Sequence, residues 1–396
     1  MANLIEALTT IPVGPLGIIA LPGCEELASK IDKYLVNSRA QKNSEHKNTI
    51  AFAGYERDSY LIDVNFPRFG TGESKAVVKQ TVRGYDLFIV CDMFNYGIEY
   101  KMYGQKRQMT PDDHYANLKR AISAIAGKAN RITVVMPMLY EGRQHKRSSR
   151  ESLDCAIALQ ELCNFMGVEN IITFDAHDAR VQNAIPLSGF ENVQTTYQMI
   201  KALIKHEETL RIDKDHLMVV SPDEGGMHRC IYYSAVLGVD LGMFYKRRDY
   251  SVVVDGRNPI VAHQFLGDNV EGKDIIIIDD MISSGESVIE VSRKLKALKA
   301  RRIYICTTFG LFCNGLEVFD KAFEEGVFDR VYTTNLVYRM PELAEKEWYV
   351  EVDLSKYISL IIDTLNHDGS LSRLLDPVDR INKLLLKNGF NLPEKH

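Results

Sequence analysis

The chain has 396 residues, is 45% hydrophobic and carries a formal net charge of −5, a soluble globular composition with enough mass for two cores. The mild acidic excess argues against a general nucleic-acid or membrane surface, because such surfaces need a basic patch to neutralise phosphates. No stretch approaches the ~20 apolar residues of a membrane span, and the N-terminus lacks a basic region followed by an apolar one. The seven cysteines are scattered, with no Cys-x-x-Cys pair, so reduced thiols in a cytoplasmic protein are expected, with no zinc site.

Residues 17–21 read as a buried strand, and residues 25–35 as a helix with Leu27, Ile31 and Leu35 on one face. Residues 37–60 are polar and irregular. Arg68-Phe-Gly-Thr-Gly-Glu73 is a glycine-punctuated turn, and Val82-Arg-Gly-Tyr-Asp86 precedes a strand over 87–91. Residues 92–111, with Tyr96, Tyr100, Tyr103 and several basic groups, receive no element. A helix over 114–126 leads to a strand over 132–136, which ends in the basic run Pro137 to Arg147. Residues 152–166 read as a helix and 171–175 as a strand, which runs into Asp175-Ala-His177.

From about Tyr197 the pattern begins again. A helix over 199–205 and a strand over 217–221 lead to the turn Ser221-Pro-Asp-Glu-Gly-Gly226, where paired glycines allow close backbone approach. A strand from Gly242 then runs into Lys246-Arg-Arg248. Three like charges repel one another and gain most when an anion arrives. Strands over 303–307 and 331–335 follow, then a helix over 354–365 and a charged helical tail.

The most informative stretch is Lys273 to Ser287. Ile275 to Ile278 have no amphipathic alternation, so both faces of the segment want to be dry, as in a central parallel strand. Asp279 and Asp280 follow at once, and a helical pattern begins after Ser287, so the turn between sits at the carboxyl edge of a sheet, where open α/β folds bind ligands. Ser283, Ser284, Gly285 and Ser287 let backbone N–H groups converge on an anion at a helix N-terminus. Two carboxylates beside a phosphate cradle make electrostatic sense when they accept hydroxyls or hold a metal. A ribose 5-phosphate offers both hydroxyls and a phosphate.

These segments resemble the ribose-phosphate pyrophosphokinase family, whose members have the type I phosphoribosyltransferase fold. The resemblance spans roughly residues 15–375. It rests on the Asp279–Ser287 loop, on Arg143-Gln144 in the family's Arg-Gln pair, on Asp175-Ala-His177, on Ser221-Pro-Asp223 and on Lys246-Arg-Arg248. What it implies is an α/β protein of two tandem phosphoribosyltransferase-like domains, over residues 15–196 and 197–375, with a tail over 376–396. The implied reaction transfers the diphosphoryl group of ATP to the 1-hydroxyl of ribose 5-phosphate, giving phosphoribosyl pyrophosphate and AMP.

The implied roles are these: Lys246 and Arg248 catalytic; Phe69, Glu73, Arg143 and Gln144 on ATP; Asp279, Asp280, Ser283, Ser284, Gly285 and Ser287 on ribose 5-phosphate; His177 and Asp223 on magnesium. Self-association from dimer to hexamer is also implied, with no nucleic-acid or membrane partner. Four positions depart from the family pattern. Thr71 stands for Asp or Asn, His145 for Asp, Ser283 for Asp and Glu286 for Gly. Two alternatives stay open, a silent nucleotide-binding regulatory paralogue and a phosphoribosyltransferase.

Overall fold

The isoleucine run does form a central strand. A computed structural model describes residues 11–41, 55–147, 149–248 and 260–393, and the chain divides into two units.

The first unit begins with β1 (Leu16–Ala20), α1 (Glu25–Gln41), the two-residue strands β2 (Val64–Asn65) and β3 (Val77–Val78), and β4 (Asp86–Val90). A hairpin of β5 (Glu99–Met102) and β6 (Gln105–Gln108) follows, then α2 (Pro111–Ile125), β7 (Arg131–Val135), α3 (Asp154–Gln160), β8 (Asn170–Phe174) and β9 (Gly189–Val193). Its main sheet runs β1-β4-β7-β8-β9, every neighbouring pair parallel. All five residues of β4 and of β7 are buried, as expected when helices cover both faces of a parallel sheet. Leu118, Ala121 and Leu162 pack with Leu87, Ile89 and Val134 in its core.

The second unit contains α4 (Thr196–His206), β10 (Leu217–Ser221), α5 (Met227–Leu237), β11 (Asp240–Arg248), β12 (Ile260–Leu266) and β13 (Asp274–Ile282). It continues with α6 (Glu286–Ala297), β14 (Ile303–Gly310), α7 (Glu317–Glu324), β15 (Arg330–Thr334) and β16 (Tyr349–Val352). The sheet order is β12-β11-β10-β13-β14-β15-β16, with only the β11–β12 pair antiparallel. The isoleucine strand β13 is thus the middle member of the seven.

The C-terminus departs from the boundaries read in the sequence. Residues 335–338 and 353–376, including α8 (Ser355–Asn366) and α9 (Ser372–Leu375), belong to the first unit. Arg39, only 1% exposed on α1, donates to Asp363 and to Asn366, each at 2.8 Å. A buried guanidinium needs a carboxylate partner, and this one lies 324 positions along the chain. The same demand explains why α1 continues to Gln41 rather than ending at 35. The residues read as a tail return to the second unit, where α10 (Val378–Lys387) buries Ile381 and Leu385.

Candidate active site

In the second unit the apolar run of β13 ends in Asp279 and Asp280. Asp279 Oδ1 accepts the N–H of Asp280 at 2.8 Å, and the nearly buried Asp280 carboxylate lies 3.6 Å from the equally buried Arg229 of α5. Burial, then the charge of Asp280, pushes the Asp279 carboxyl well above the usual carboxylate range, and Asp223 adds to the rise. Two like charges in a dry site cannot both ionise cheaply. A hydroxyl donor or a cation arriving here would relieve the strain.

The turn at the end of β10 adjoins this pair. A Cβ on Gly226 would lie 2.9 Å from Ser221 Oγ and 3.8 Å from Asp279 Oδ1, so the turn depends on a bare backbone. Ser221 Oγ donates to the Asp223 carbonyl at 2.6 Å, and Asp223 Oδ1 accepts the Gly225 N–H at 2.9 Å. These local bonds hold the turn that the sequence singled out.

Beyond β13 the chain enters α6 through Gly285, whose φ is +88° and where a Cβ would meet the Phe319 ring at 2.2 Å. Only glycine satisfies both constraints. The helix has no side-chain cap, and the positive end of its dipole favours an anion there. Ser283 and Ser284 are half-buried, while Ser287 and Glu286 are exposed. The bulky Glu286 therefore stays out of the fold of the turn. Asp223, Asp279, Asp280, Ser283, Ser284, Gly285 and Ser287 all belong to this strand-end region. Sequence reasoning passed over Arg229, Phe319 and the exposed Cys313, whose N–H donates to the Ser283 carbonyl at 2.9 Å. Arg229 carried a signal in its place on the first turn of the helix after Gly226.

Lys246 and Arg248 lie on β11, opposite His263 and Ile260 of β12. Their side chains lie outside the described residues, as do residues 249–259.

In the first unit, Phe69 N–H donates to the Glu73 carbonyl at 2.8 Å and Gly72 N–H to the Phe69 carbonyl at 2.9 Å. That closed turn leaves the Phe69 ring 53% exposed. Thr71 Oγ1 donates to Glu73 Oε2 at 2.8 Å, so the threonine that stands where the family has Asp or Asn orients the glutamate. Arg143 and Gln144 are exposed. Between them and His177 stands His145, whose Nε2 is 3.4 Å from Asp178 Oδ2 and whose ring centroid is 5.3 Å from that of His177. Burial lowers the His145 pKa although Asp178 opposes it, and hydrogen bonds from Arg180 hold Asp178 well below the usual range. The structure thus brings Arg143, Gln144 and His177 to neighbouring loops, joined by a residue that departs from the family pattern.

Among the described residues no three His, Cys, Asp or Glu side chains converge as a preformed metal cage. Magnesium is commonly held by one or two carboxylates plus substrate phosphates, and the crowded oxygens of Asp223 and Asp279 fit that mode. His177 belongs to the first unit and Asp223 to the second.

Two phosphoribosyltransferase-type domains, each with its loops at strand ends, define the class. A model described as the N-terminal domain of ribose phosphate pyrophosphokinase matches residues 16–165, and a phosphoribosyl transferase domain model matches residues 190–322. The Vibrio cholerae ribose-phosphate pyrophosphokinase is 27% identical over 320 residues, which is 80% of this chain and 92% of that protein. The Thermotoga maritima protein of the same name is 28% identical over 286 residues, 71% of this chain and 82% of that one. The fold resembles the crystal structure of phosphoribosylpyrophosphate synthetase from Mycobacterium smegmatis, with a TM-score of 0.69 at 19% identity, over 89% of this chain and 99% of that chain. The chain belongs to the ribose-phosphate pyrophosphokinase family of enzymes, as a divergent member.

Proposed function

We propose that the protein transfers the diphosphoryl group of ATP to the 1-hydroxyl of ribose 5-phosphate, giving 5-phosphoribosyl 1-pyrophosphate and AMP. The end of β13 carries the reading. There a crowded carboxylate pair, in which Asp279 is held well above the usual carboxylate range, precedes a helix N-terminus with no side-chain cap, one suited to sugar hydroxyls and the other to a phosphate. Asp279 and Asp280 hold the ribose hydroxyls, and the backbone at Ser283, Ser284, Gly285 and Ser287 cradles the 5-phosphate. Arg143 and Gln144 bind ATP, and Phe69 and Glu73 grip its base. Lys246 and Arg248 neutralise charge on the transferred group, in a reaction that needs positioning and electrostatics more than covalent help. His177 and Asp223 would hold magnesium, which offsets phosphate charge when bound.

The named relatives support this substrate pair. Seven cysteines, none in a disulfide, support a reducing, cytoplasmic setting, and no helix of the described residues is long and apolar enough to cross a membrane. Self-association, from dimer to hexamer, is part of the same reading.

The test is to incubate the protein with ATP, magnesium, phosphate and ribose 5-phosphate and to separate the products, with Lys246→Ala alongside. Equimolar AMP and phosphoribosyl pyrophosphate are expected, with kcat lower by about 10²–10³ in the variant. Absence of both products, with ATP binding retained, would replace this reading by a silent nucleotide-binding paralogue.

A further inference from the structure

Residues 92–111, which the sequence left without an element, contain a hairpin that grips another loop of the same unit. β5 and β6 pair with Met102 opposite Gln105, so Tyr103 and Gly104 form a two-residue turn, with φ of +48° and +77°. Glycine is at home there, but a tyrosine with positive φ is rare and strained. Its N–H donates at 2.8 Å to the carbonyl of Gly70, in the middle of the Arg68–Ser74 loop. Strain of this kind persists where surrounding structure imposes it, and it points to function.

Two further contacts join the same two pieces, Arg68 with Tyr100 and Gly72 with Met102, and Arg68 is itself braced from the loop and from α2. The Arg68 guanidinium lies 3.9 Å from the centre of the Tyr100 ring. Its Nη2 is buried without a hydrogen-bond partner among the described residues, so the ring face is what offsets the charge on that side. Arg68 Nη1 donates to the Gly72 carbonyl at 3.0 Å and to Asp113 at 3.2 Å, and Asp113 is also the capping-box acid of α2. Gly72, with φ of +95°, has no room for a Cβ because the Met102 sulfur would be 2.7 Å away. The loop is thus fastened at Arg68, Gly70 and Gly72, the positions that flank Phe69 and Thr71.

We propose that the β5–β6 hairpin holds the Arg68–Ser74 loop in the shape that receives a nucleotide base, with Tyr100 and Met102 as positioning residues that set affinity for ATP. Tyr100 acts through Arg68, and Met102 through Gly72. The proposal rests on reading Phe69 and Glu73 as base contacts, so its test must separate a failure of the hairpin from a failure of that reading.

The full-length protein and its Tyr100→Leu, Tyr100→Phe, Met102→Ala and Phe69→Ala variants are titrated with ATP by calorimetry, and amide exchange at Phe69 and Gly72 is followed without ligand. Tyr100→Leu is expected to weaken ATP binding roughly tenfold, with KM for ATP rising and kcat unchanged, and to speed exchange at both amides. Tyr100→Phe keeps the ring and restores both readouts, and Met102→Ala moves them in the same direction as Tyr100→Leu. A merely structural role would lower the active fraction without moving KM. If Phe69→Ala weakens ATP binding while Tyr100→Leu and Met102→Ala leave affinity and exchange unchanged, the hairpin proposal is overturned and the base contact stands. If Tyr100→Leu speeds exchange but neither it nor Phe69→Ala alters ATP affinity, the base contact fails and the proposal falls with it.

Discussion

Each unit contains a central strand whose two ends treat an aspartate in opposite ways. At the amino end of β4, Asp86 takes a bidentate grip from Arg131, both bonds at 2.9 Å, and a third bond from Asn366. Just past the other end of β4, Asp92 is buried with backbone N–H donors from Phe94 and Tyr338, and burial pushes its pKa up to about 6. In the second unit, Asp274 opens β13 between Arg301 and Arg302. Burial alone would raise its pKa, but the two guanidiniums outweigh that and hold it below the usual range. Five residues on, Asp279 is pushed well above that range. The amino ends are closed with full charge pairing and serve the fold. The carboxyl ends keep carboxyl groups under tension, and there the candidate ligand loops lie.

Substitutions at these aspartates and their partners test the contrast. The largest effect is expected from Asp86→Ala, which leaves the buried Arg131 only the exposed Asp368 at 3.5 Å as a charged partner and should cost about 3–5 kcal/mol in denaturant unfolding of the first unit. A loss below about 1 kcal/mol would mean that the amino end is no better paired than the surface. Asp279→Asn should do the reverse. A carboxyl whose folded pKa is raised loses stability as pH climbs from the unfolded value, about 3.9, toward the folded one, so the neutral variant escapes that loss. Stability near pH 7 should be equal to or above the parent's, while ribose 5-phosphate affinity falls about 100-fold. Retained affinity would remove Asp279 from the site.

Asp92 gives the pH dependence with a defined window. Its folded pKa of about 6 lies above the ordinary aspartate value of about 3.9, so the parent loses as much as about 3 kcal/mol between pH 4 and pH 6, at 1.36 kcal/mol per unit. Asp92→Asn loses one backbone bond at every pH, so the informative quantity is the variant-minus-parent difference in unfolding free energy. That difference should move in favour of the variant as pH rises through this window and flatten above it. A flat difference would show that the two backbone donors fully offset burial. The smallest effect should come from Arg301→Ala, because Asp274 keeps Arg302 at 2.6 Å and Arg301 is half exposed. About 0.5–1 kcal/mol is expected, and a larger loss would show that the two arginines act as one unit.

The site in the second unit was legible because its chemistry is local. Ile275 to Ile278, two acids, small residues and a helix follow one another without interruption, and the same holds for the Ser221–Gly226 turn. What the sequence hid depends on distant partners. Arg39 looks like a surface residue until Asp363 is beside it, and Gly285 looks merely flexible until the Phe319 ring occupies the space of its missing side chain. The hairpin at 99–108 escaped notice because its turn is Tyr-Gly rather than a favoured hairpin dipeptide. Thr71 and His145, which depart from the family pattern, contact neighbouring side chains, and a side chain's partners are invisible to position-by-position comparison.

The return of α8 to the first unit has a consequence for how the chain matures. Arg39 is synthesised long before Asp363, 324 positions later, and at about 5–20 residues per second that interval is on the order of half a minute. During that time a charge destined for the interior has no partner, so the first unit cannot close behind the ribosome as N-terminal domains usually do. It must wait for the second unit to be translated. A nascent chain halted before residue 353 should therefore leave the first unit open to proteases, however complete its own sheet, and residues 353–376 decide when that unit becomes a folded body.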